Sequence, residues 1–513
     1  MGSDDSGSMK EPLLFSRGKS DGVQHRSSNL EAGEKIIDGY VESIGIPPLL
    51  CGPESEIMVE VKRTAKLAWP LMLSNFLILA IPVCTMSFIG HLGELELASA
   101  SIATSFAMAT AFLVMIGLAS ALETLCGQAY GAKNYRLMGV YLQSSFIIST
   151  FAAFIILALW MNMATIFIAM GQVPEVARLA QKYLLWLTPG VFGSGILRPT
   201  TKFMQSQGAV IPVLLCTLIA TSLHVPACYI LIYVLDFGLI GGALATCFTF
   251  QSLTVYIVVY GLASGRFKET FQGFTWEAFH YTRDYLKLAI PSTFMMCLEF
   301  WTAEVLVLTA GLLPNAQLQL SLLSVSLSSV NLVSMIPTGL GAAAATRVAN
   351  ELGAYRSEPA KLAWKVSLGM SLISTCIVSL CILMARNLWG KIFSDVAEVL
   401  DGLRAITPLV ALAALLDGFQ GVLTGVVRGC GRQSLGTHIN LLAFYIFGIP
   451  CGLILGFSWH FGARGLWMGL IVGEALQCLL LGVLILITNW DKMADDAVRR
   501  VGLRTGLLDH SKN

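Results

Sequence analysis

The stretch AIPSTFMMCLEFWTAEVLVLTAG, residues 289–311, decides the class of fold. It is long and apolar enough to cross a bilayer, because about 20 helical residues span a hydrocarbon core of about 30 Å. Glu299 nevertheless lies in its middle, and Glu304 follows five residues later. A carboxylate at that depth is costly unless it is paired, protonated or facing water. We therefore treat this helix as the first candidate for a functional site.

The composition of the whole chain is that of a membrane protein. Of its 513 residues, 55% are hydrophobic and only 13% are charged, with a mean hydropathy of +0.71. A soluble domain carries about 25% charged residues. The net charge of +1 argues against a nucleic-acid partner, which would favour a basic surface. We expect an all-α polytopic membrane protein.

The 12 cysteines do not suggest a disulfide framework or a metal site. Most of them fall inside apolar runs, where cysteine is a small packing residue, and no CxxC pair with zinc-site spacing occurs. Motifs of hydrolytic enzymes, such as HExxH and GxSxG, do not occur either. We expect no enzymatic activity, no metal and no cofactor.

Twelve apolar runs are long enough to cross the membrane as helices. The predicted spans are 67–90, 97–121, 138–160, 176–201, 209–235, 238–264, 284–311, 317–343, 359–385, 399–427, 434–458 and 462–490. An even number of crossings places both termini on one side. Residues 1–58 are polar and lack an apolar signal segment, so we interpret them as a disordered tail, and 491–513 as a C-terminal tail.

Basic residues concentrate on one side of the predicted membrane. The segments on the side of the N-terminus contain Lys133, Arg136, Lys202, Arg266, Lys268, Arg283, Lys287, Arg347, Arg356, Lys361, Lys365, Arg428, Arg432, Lys492, Arg499, Arg500 and Arg504. The opposite loops contain only Arg178, Arg386, Lys391 and Arg464. The positive-inside rule therefore predicts that both termini and both tails are cytosolic.

The two halves of the chain repeat at a nearly constant offset. The matching landmarks are Pro70 with Pro291, Gly131 with Gly353, Pro189 with Pro408, and Gly241 with Gly465. Six spans per half insert both halves in the same direction, which predicts two lobes around a central cleft. We assign 59–264 to an N-lobe, 265–283 to a cytosolic linker and 284–490 to a C-lobe.

Four segments of the sequence resemble a known family. They are FIGHLGELELA at 88–98, LETLCGQAYGAKNY at 122–135, CLEFWTAEVLVLTAGLLPN at 297–315 and PTGLGAAAATRVANELGA at 337–354. Together they resemble the multidrug and toxic compound extrusion family, and in particular its plant detoxification branch. The resemblance covers about 60–490. It implies twelve helices in two lobes related by a pseudo-twofold axis, arranged as a V around a cleft.

The resemblance also implies a function, namely antiport that exports organic solutes against an inward cation gradient. In the plant branch the cation is usually H⁺, and Na⁺ is the alternative. The long insertion that marks citrate-type exporters of the family is missing, which favours alkaloid, phenolic, hormone-like or xenobiotic substrates. We expect a monomer whose partners are a small organic substrate and membrane lipid, in the plasma membrane or the vacuolar membrane.

Two acids lie at similar predicted depths in the C-lobe. Glu299 is about 18 Å from the cytosolic flank at Lys287, and Asp417 is roughly 16 Å from the flank at Arg428. The resemblance implies that both positions carry protons. Hydrocarbon surroundings disfavour the charged form of a carboxyl group, so such a group could accept H⁺ from the acidic side and release it to the cytosol. Our hypothesis is that protonation releases substrate outward and deprotonation prepares the site again.

Two further acids are secondary candidates. Glu304 lies about 26 Å from the cytosolic flank and about 140° around the helix from Glu299, so it could contact substrate or serve structure and gating. Glu474 lies about 15 Å inside Arg464 on the last span and belongs to no motif of the family.

Other candidates line the expected cleft or bend helices. Asn75 is the strongly polar residue near the middle of the first span, where bacterial relatives often have an aspartate. Pro70 and Pro291 are candidates for helix bending. Phe300 and Trp301 flank Glu299, and their aromatic faces could hold a cationic or planar ligand.

The remaining polar residues favour structural interpretations. His224 is more typical of a packed, hydrogen-bonded histidine than of a switch. Arg198 and Lys202 fall near the cytosolic end of the fourth span, where long basic side chains reach towards the interface. Residues 122–137 and 344–358 are expected to lie along the cytosolic surface as amphipathic elbows.

Three other classes of protein fit the sequence less well. A major facilitator would carry a short charged loop between its second and third spans, which this chain lacks. A channel would repeat charged rings in several helices, whereas the buried acids here fall in one lobe. A membrane-embedded enzyme would need a nucleophile or metal constellation.

Overall fold

The computed structural model describes residues 53–392 and 396–502, and within these ranges the chain forms helices and no strand. Twelve long helices, α1–α12, are followed by a shorter one, α13. Their bounds are Pro53–Gly90, Glu94–Gly131, Tyr135–Trp160, Pro174–Ser206, Val210–Val234, Gly238–Ala263, Glu277–Ala310, Ala316–Gly353, Ser357–Met384, Ala397–Cys430, Gln433–Ser458, Ala463–Leu486 and Trp490–Arg500. A short helix of seven residues, Met163–Ala169, lies between α3 and α4.

The predicted fold class is confirmed. Eleven of the described helices are long and apolar enough to cross a membrane. The remaining long helix, α4, has 33 residues, but charged side chains such as Arg198 and Lys202 interrupt its apolar run. With α4 included, each half has six long helices in the same order. The predicted spans agree with them to within a few residues at most ends.

Some predicted boundaries differ from the observed ones. Helix α1 begins at Pro53, so it extends into the segment predicted to be a disordered tail. The rest of that segment lies outside the described residues. Helix α7 begins at Glu277, inside the predicted linker. In both cases polar residues extend a membrane helix beyond the hydrocarbon core, where hydropathy does not indicate whether the chain is helical.

The helices are irregular at matching places in the two halves. Pro226 in α5 and Pro450 in α11 occupy corresponding positions, and both helices contain π-helical turns. A proline removes one backbone hydrogen bond, and a local change of helix type restores partners for the freed groups. Helix α8 is interrupted at Ser334, and its second piece starts with Met335.

Glycines bring α8 and α10 into backbone contact. A Cβ atom on Gly425 would lie 2.1 Å from the carbonyl oxygen of Gly341, and one on Gly341 would lie 2.2 Å from that of Gly421. Small residues allow such close approach, and in a membrane the packing they permit replaces the hydrophobic driving force between helices.

The two expected surface elbows are not elbows, and that prediction is wrong. Residues 122–131 continue α2 and residues 344–353 continue α8, and most of their side chains are buried. A Cβ atom on Gly131 would lie 1.9 Å from the carbonyl oxygen of Asn350, and one on Gly353 would lie 2.1 Å from that of Gln128. The small residues of both motifs therefore let two helix ends from opposite halves cross in contact.

The described part of the C-terminal segment also packs on the bundle. Helix α13 buries Trp490, Met493 and Ala497 against α8 and α9. The Trp490 ring stacks on that of Trp364, with ring centroids 6.4 Å apart and an interplanar angle of 4°. Residues 503–513 of the predicted tail lie outside the described residues.

Candidate functional site

Three carboxylates meet inside the second half. Glu299 comes from α7, Asp417 from α10 and Glu474 from α12, and all three are half-buried. Charge on Glu299 acts electrostatically on Asp417, and charges on both act on Glu474. We call these residues the acid cluster. The structure thus brings Glu474, a secondary candidate without a family motif, beside the two acids first proposed.

The hydrogen bonds of the acid cluster are incomplete. Gln420 Nε2 donates to Glu299 Oε2 at 2.6 Å. Asp417 Oδ2 and Glu474 Oε2 are buried and have no hydrogen-bond partner among the described residues. An ionised oxygen without a donor is costly in such a place, whereas a protonated carboxyl or a bound cation would satisfy it.

Amides from α11 and α12 support the same region. Gln477 lies next to Glu299 and donates to Asn440 Oδ1 at 2.8 Å. Asn440 in turn donates to the carbonyl oxygen of Met295 on α7 at 2.8 Å. This chain of hydrogen bonds ties α7, α11 and α12 together around the acid cluster, which limits how far the carboxylates can move apart.

Glu304 lies outside this cluster. It is half-buried on the same helix as Glu299, but it is not among the groups that act on Glu299, Asp417 or Glu474. Its role in substrate contact or gating remains a prediction.

The aromatic and proline candidates occupy different positions. Trp301 Nε1 donates to the carbonyl oxygen of Ala109 on α2 at 3.4 Å, so this ring contacts the first half of the chain. Phe300 is half-buried and Pro70 is buried. The carbonyl oxygen of Pro291 accepts a 2.7 Å hydrogen bond from the Thr437 hydroxyl.

A cavity of about 310 Å³ lies mainly in the first half. Side chains of α1, α2, α4, α5 and α6 form most of its wall, and Met296, Met335 and Arg428 contribute from the second half. Asn75 lines it, as the cleft prediction expects. The acid cluster does not line it.

An ion-pair network lies at the predicted cytosolic end of this cavity. Glu123 on α2 is 2% exposed. One of its carboxylate oxygens pairs with Lys202 Nζ of α4, and the other lies 2.9 Å from Arg428 Nε of α10. The network therefore joins the two halves. The sequence does not single out Glu123, because its motif is predicted to be a surface elbow. The signal that could have identified it is an acid within a run of mostly small and apolar residues.

Hydrogen bonds from α2 to the end of α10 and the start of α11 surround this network. The Thr124 hydroxyl donates to the carbonyl oxygen of Arg428. Gln128 Nε2 donates to that of Gly429 at 3.1 Å, and Gln433 Nε2 donates to the Thr124 hydroxyl at 2.7 Å. These contacts close the predicted cytosolic end between the two halves.

A second set of contacts links α4 with α8 at the same end. Gln205 Nε2 donates to the carbonyl oxygen of Ala342 at 3.0 Å and to the Thr346 hydroxyl at 2.9 Å. Asn350 Nδ2 donates to the carbonyl oxygen of Ser206 at 3.1 Å. We use the term cytosolic closure for both sets of contacts together with the Glu123 ion pairs.

Arg198 does not reach towards the membrane interface, so that interpretation is wrong. It lines the cavity, its Nε is buried, and it has no hydrogen-bond partner among the described residues. The reason is that α4 is surrounded by α2, α3 and α6, which leave this side chain facing inward.

His224 has the structural surroundings that its sequence context favours. Its Nδ1 lies 2.7 Å from the Thr249 hydroxyl and its Nε2 lies 2.9 Å from the Thr85 hydroxyl. The thiols of Cys84 and Cys228 lie near the same ring. Because both ring nitrogens have protein partners, the histidine is held as a hydrogen-bonded packing residue.

Comparisons with known proteins agree with this architecture. The MatE family model matches residues 70–230 and 291–454, one match in each half. Protein DETOXIFICATION 16 of Arabidopsis thaliana is 40% identical over 460 residues, covering 90% of this chain and 95% of that protein. Protein DETOXIFICATION 12 of the same species is 39% identical, covering 88% and 94%. The crystal structure of the eukaryotic MATE transporter AtDTX14 superimposes with a TM-score of 0.84 at 36% identity, covering 87% of this chain and 100% of that one.

Proposed function

This chain belongs to the MATE transporter family, and we propose that it exports organic solutes from the cytosol in exchange for protons. The family supports the efflux role. The proposal for the coupling ion and its site rests on this chain's own residues. The single observation that carries it is the acid cluster of Glu299, Asp417 and Glu474 with its two unpartnered carboxylate oxygens.

The acid cluster suits a proton better than it suits three fixed negative charges. Like charges that interact in a poorly hydrated site do not all ionise together, so protonation of one member stabilises the cluster. Protons entering from the acidic side would neutralise it, and loss of protons to the cytosol would restore the charge. An antiporter needs a protonated and a deprotonated state that favour different conformations. Each of its ligands must bind one conformation better than the other.

Helix α10 provides a route from the acid cluster to the cytosolic closure. Asp417 and Gln420 lie on this helix, and so does Arg428, which pairs with Glu123. The charge of Arg428 also acts on Glu299. In our proposal, a change of charge at the cluster alters the balance of forces on Arg428 and thereby favours opening or closing of the cytosolic end.

Transport by reconstituted protein tests the coupling. Proteoliposomes with an acidic lumen should accumulate at least one solute from a panel of a phenolic acid, an alkaloid cation and a neutral xenobiotic. We expect Glu299→Gln and Asp417→Asn to abolish accumulation against a gradient, because neither amide can carry the proton. Glu398→Gln, an exposed acid in the first turn of α10, is the matched control.

Three results would overturn the proposal. Full pH-driven accumulation by both cluster variants would show that the protons bind elsewhere. Accumulation driven by a Na⁺ gradient and not by a pH gradient would replace the proton with Na⁺, the alternative coupling ion. Chemical change of the solute would point to an enzyme instead.

The orientation and the membrane are part of the same proposal. The basic loops support cytosolic termini, and export from the cytosol has the same sense at the plasma membrane and at the vacuolar membrane. A fluorescent tag on the C-terminus locates the membrane in plant cells, and protease protection of that tag in sealed vesicles reports its side. A tag protected on the outer or vacuolar side would contradict the orientation.

A further inference from the structure

Four charged side chains line the first-half cavity, and they are not balanced. One is an acid, Glu123, and three are bases, Arg198, Lys202 and Arg428. Much of the remaining wall is formed by apolar side chains such as Ile78 and Phe250. A cavity with this excess of basic side chains would repel a cation and attract an anion, because charges interact more strongly in a poorly hydrated site than in water.

The acid forms ion pairs with two of the bases. Each oxygen of Glu123 faces a different cation, Lys202 on one side and Arg428 on the other. It is also 2% exposed. Glu123 is therefore not free to receive a cationic solute unless both ion pairs break.

Arg198 is the base without a partner. No described residue accepts a hydrogen bond from it or pairs with it, and its Nε is buried. A guanidinium keeps its charge, and its planar set of five N–H donors matches the two oxygens of a carboxylate. Leaving such a group unpaired at the wall of an apolar cavity costs free energy, which an anionic ligand would offset.

We propose that Arg198 binds the anionic group of the exported solute, and that the solute is a monoanionic organic acid with an apolar ring body. The inference rests on the proposed export function and names the substrate class for it. One unpaired guanidinium and apolar walls do not suit a small polyanion such as citrate. The cavity volume of about 310 Å³ is at the small end of ligand pockets, which suits a compact ring system.

This assignment separates the solute from the coupling ion. The acid cluster lies in the other half and does not line the cavity. The two sites would therefore interact through the conformations of the protein and not by direct competition for one carboxylate. That arrangement departs from the hypothesis drawn from the sequence, in which protonation of Glu299 and Asp417 itself releases the substrate.

A matched series of ligands tests the proposal on the full chain in detergent, without any gradient. The probes are 1-naphthoate, 1-naphthalenemethanol and 1-naphthylmethylammonium, which share one ring body and differ in charge. We expect the wild-type protein to bind the anion on the order of 10- to 100-fold more tightly than the alcohol, the gain typical of charge-assisted hydrogen bonds. We expect the cation to bind most weakly.

Variants of Arg198 identify the group responsible. In Arg198→Gln the ratio of anion affinity to alcohol affinity should fall to near one, and Arg198→Lys should restore part of it. Lys182→Gln, an exposed base on the same helix, controls for general loss of positive charge and should keep the wild-type ratio. Because the readout is a ratio within one protein sample, partial misfolding does not imitate the effect.

Several outcomes would overturn the proposal. These are a wild-type preference for the cation, an unchanged ratio in Arg198→Gln, and failure of the wild-type protein to bind any of the three probes. The proposed function fails separately. If the anion preference depends on Arg198 but a pH gradient drives no accumulation, the site stands and the proton coupling does not.

Discussion

Replacing Glu123 with Gln should open the cytosolic closure. The substitution keeps the size of the side chain and removes the negative charge that balances Lys202 and Arg428. Both cations are largely buried, with side-chain exposures of 19% and 11%. Removing one partner of a buried ion pair costs about 3–5 kcal/mol because the remaining charge has no compensation.

The expected magnitude follows from this cost. Opening would hydrate the two cations, so most of the penalty falls on the closed state alone. Taking about 3 kcal/mol, the lower end, the ratio of closed to open protein falls by roughly 100-fold, since about 1.4 kcal/mol is a factor of ten. The hydrogen bonds from Gln128, Gln205 and Asn350 oppose opening in both proteins and cancel in the comparison.

Thiol labelling measures the closure directly. Ser206 is 2% exposed and lies under Asn350 of the second half, so a Ser206→Cys thiol in a cysteine-free background reacts with a water-soluble maleimide only after opening. We expect Glu123→Gln to accelerate this labelling at least tenfold and Glu123→Asp, which keeps the charge, to change it little. Lys268→Cys, in an exposed loop, reports the maximum rate. If the Ser206→Cys thiol reacted at the same rate in the protein with Glu123 and in the Glu123→Gln variant, the assignment of the ion pairs to the closure would be refuted.

Three further predictions concern stability, each checked by the thermal midpoint of the purified protein in detergent. Gly131→Ala places a Cβ atom 1.9 Å from the carbonyl oxygen of Asn350 and should destabilise the folded protein by about 1–3 kcal/mol through overpacking. Gly482→Ala, with open space around its Cβ position, should not destabilise it. Equal midpoints for the two variants would contradict the crossing of α2 and α8. Trp490→Ala should cost about 3–5 kcal/mol because it empties a 6% exposed site against Trp364, and Trp490→Phe should recover part of the loss; an unchanged midpoint would mean that α13 does not pack as described. Arg347 donates to both oxygens of Glu60, at 2.7 and 2.8 Å, and to Glu351 at 2.7 Å, so Arg347→Lys should lose about 1–3 kcal/mol although the charge is kept; a full recovery of stability by lysine would show that charge alone matters there.

The positions of the twelve helices could be predicted from sequence to a useful degree. The predicted end at Gly90 and the predicted start at Gly238 are the observed ones. Spans are predictable because the cost of placing a residue in hydrocarbon depends on that residue and sums along the chain. The repeat could be read for the same reason, since each half uses the same landmarks in the same order.

The acid cluster could be predicted only in part. Depth along a helix is a count of residues, so Glu299 and Asp417 could be placed at one level. Whether Glu474 joins them depends on how α12 is rotated and how closely it packs against α10, and no local pattern carries that information. The structure supplies it by placing the three side chains within electrostatic reach.

Two sequence-based predictions are wrong for one reason, which is that packing between helices distant in sequence buries the residues concerned. The small-residue motifs at 122–131 and 344–353 are predicted to lie at the surface because their amphipathic pattern is typical of interfacial elements. They are buried because each one is covered by the other. Arg198 looked like an interfacial residue because it lies one turn from Lys202, but the helices around α4 turn it towards the cavity.

The sequence by itself therefore determined that this protein is a helical membrane protein with two related halves and a pair of acids deep in the second half. Those features follow from hydropathy, charge asymmetry and spacing, which are local or additive along the chain. Only the tertiary structure decided which charges find partners. It joined Glu123 to Lys202 and Arg428 across the two halves, grouped Glu474 with Glu299 and Asp417, and left Arg198 without an acid. The physical reason is that the energy of a buried charge depends on the groups packed around it, and in this fold those groups come from helices distant in sequence.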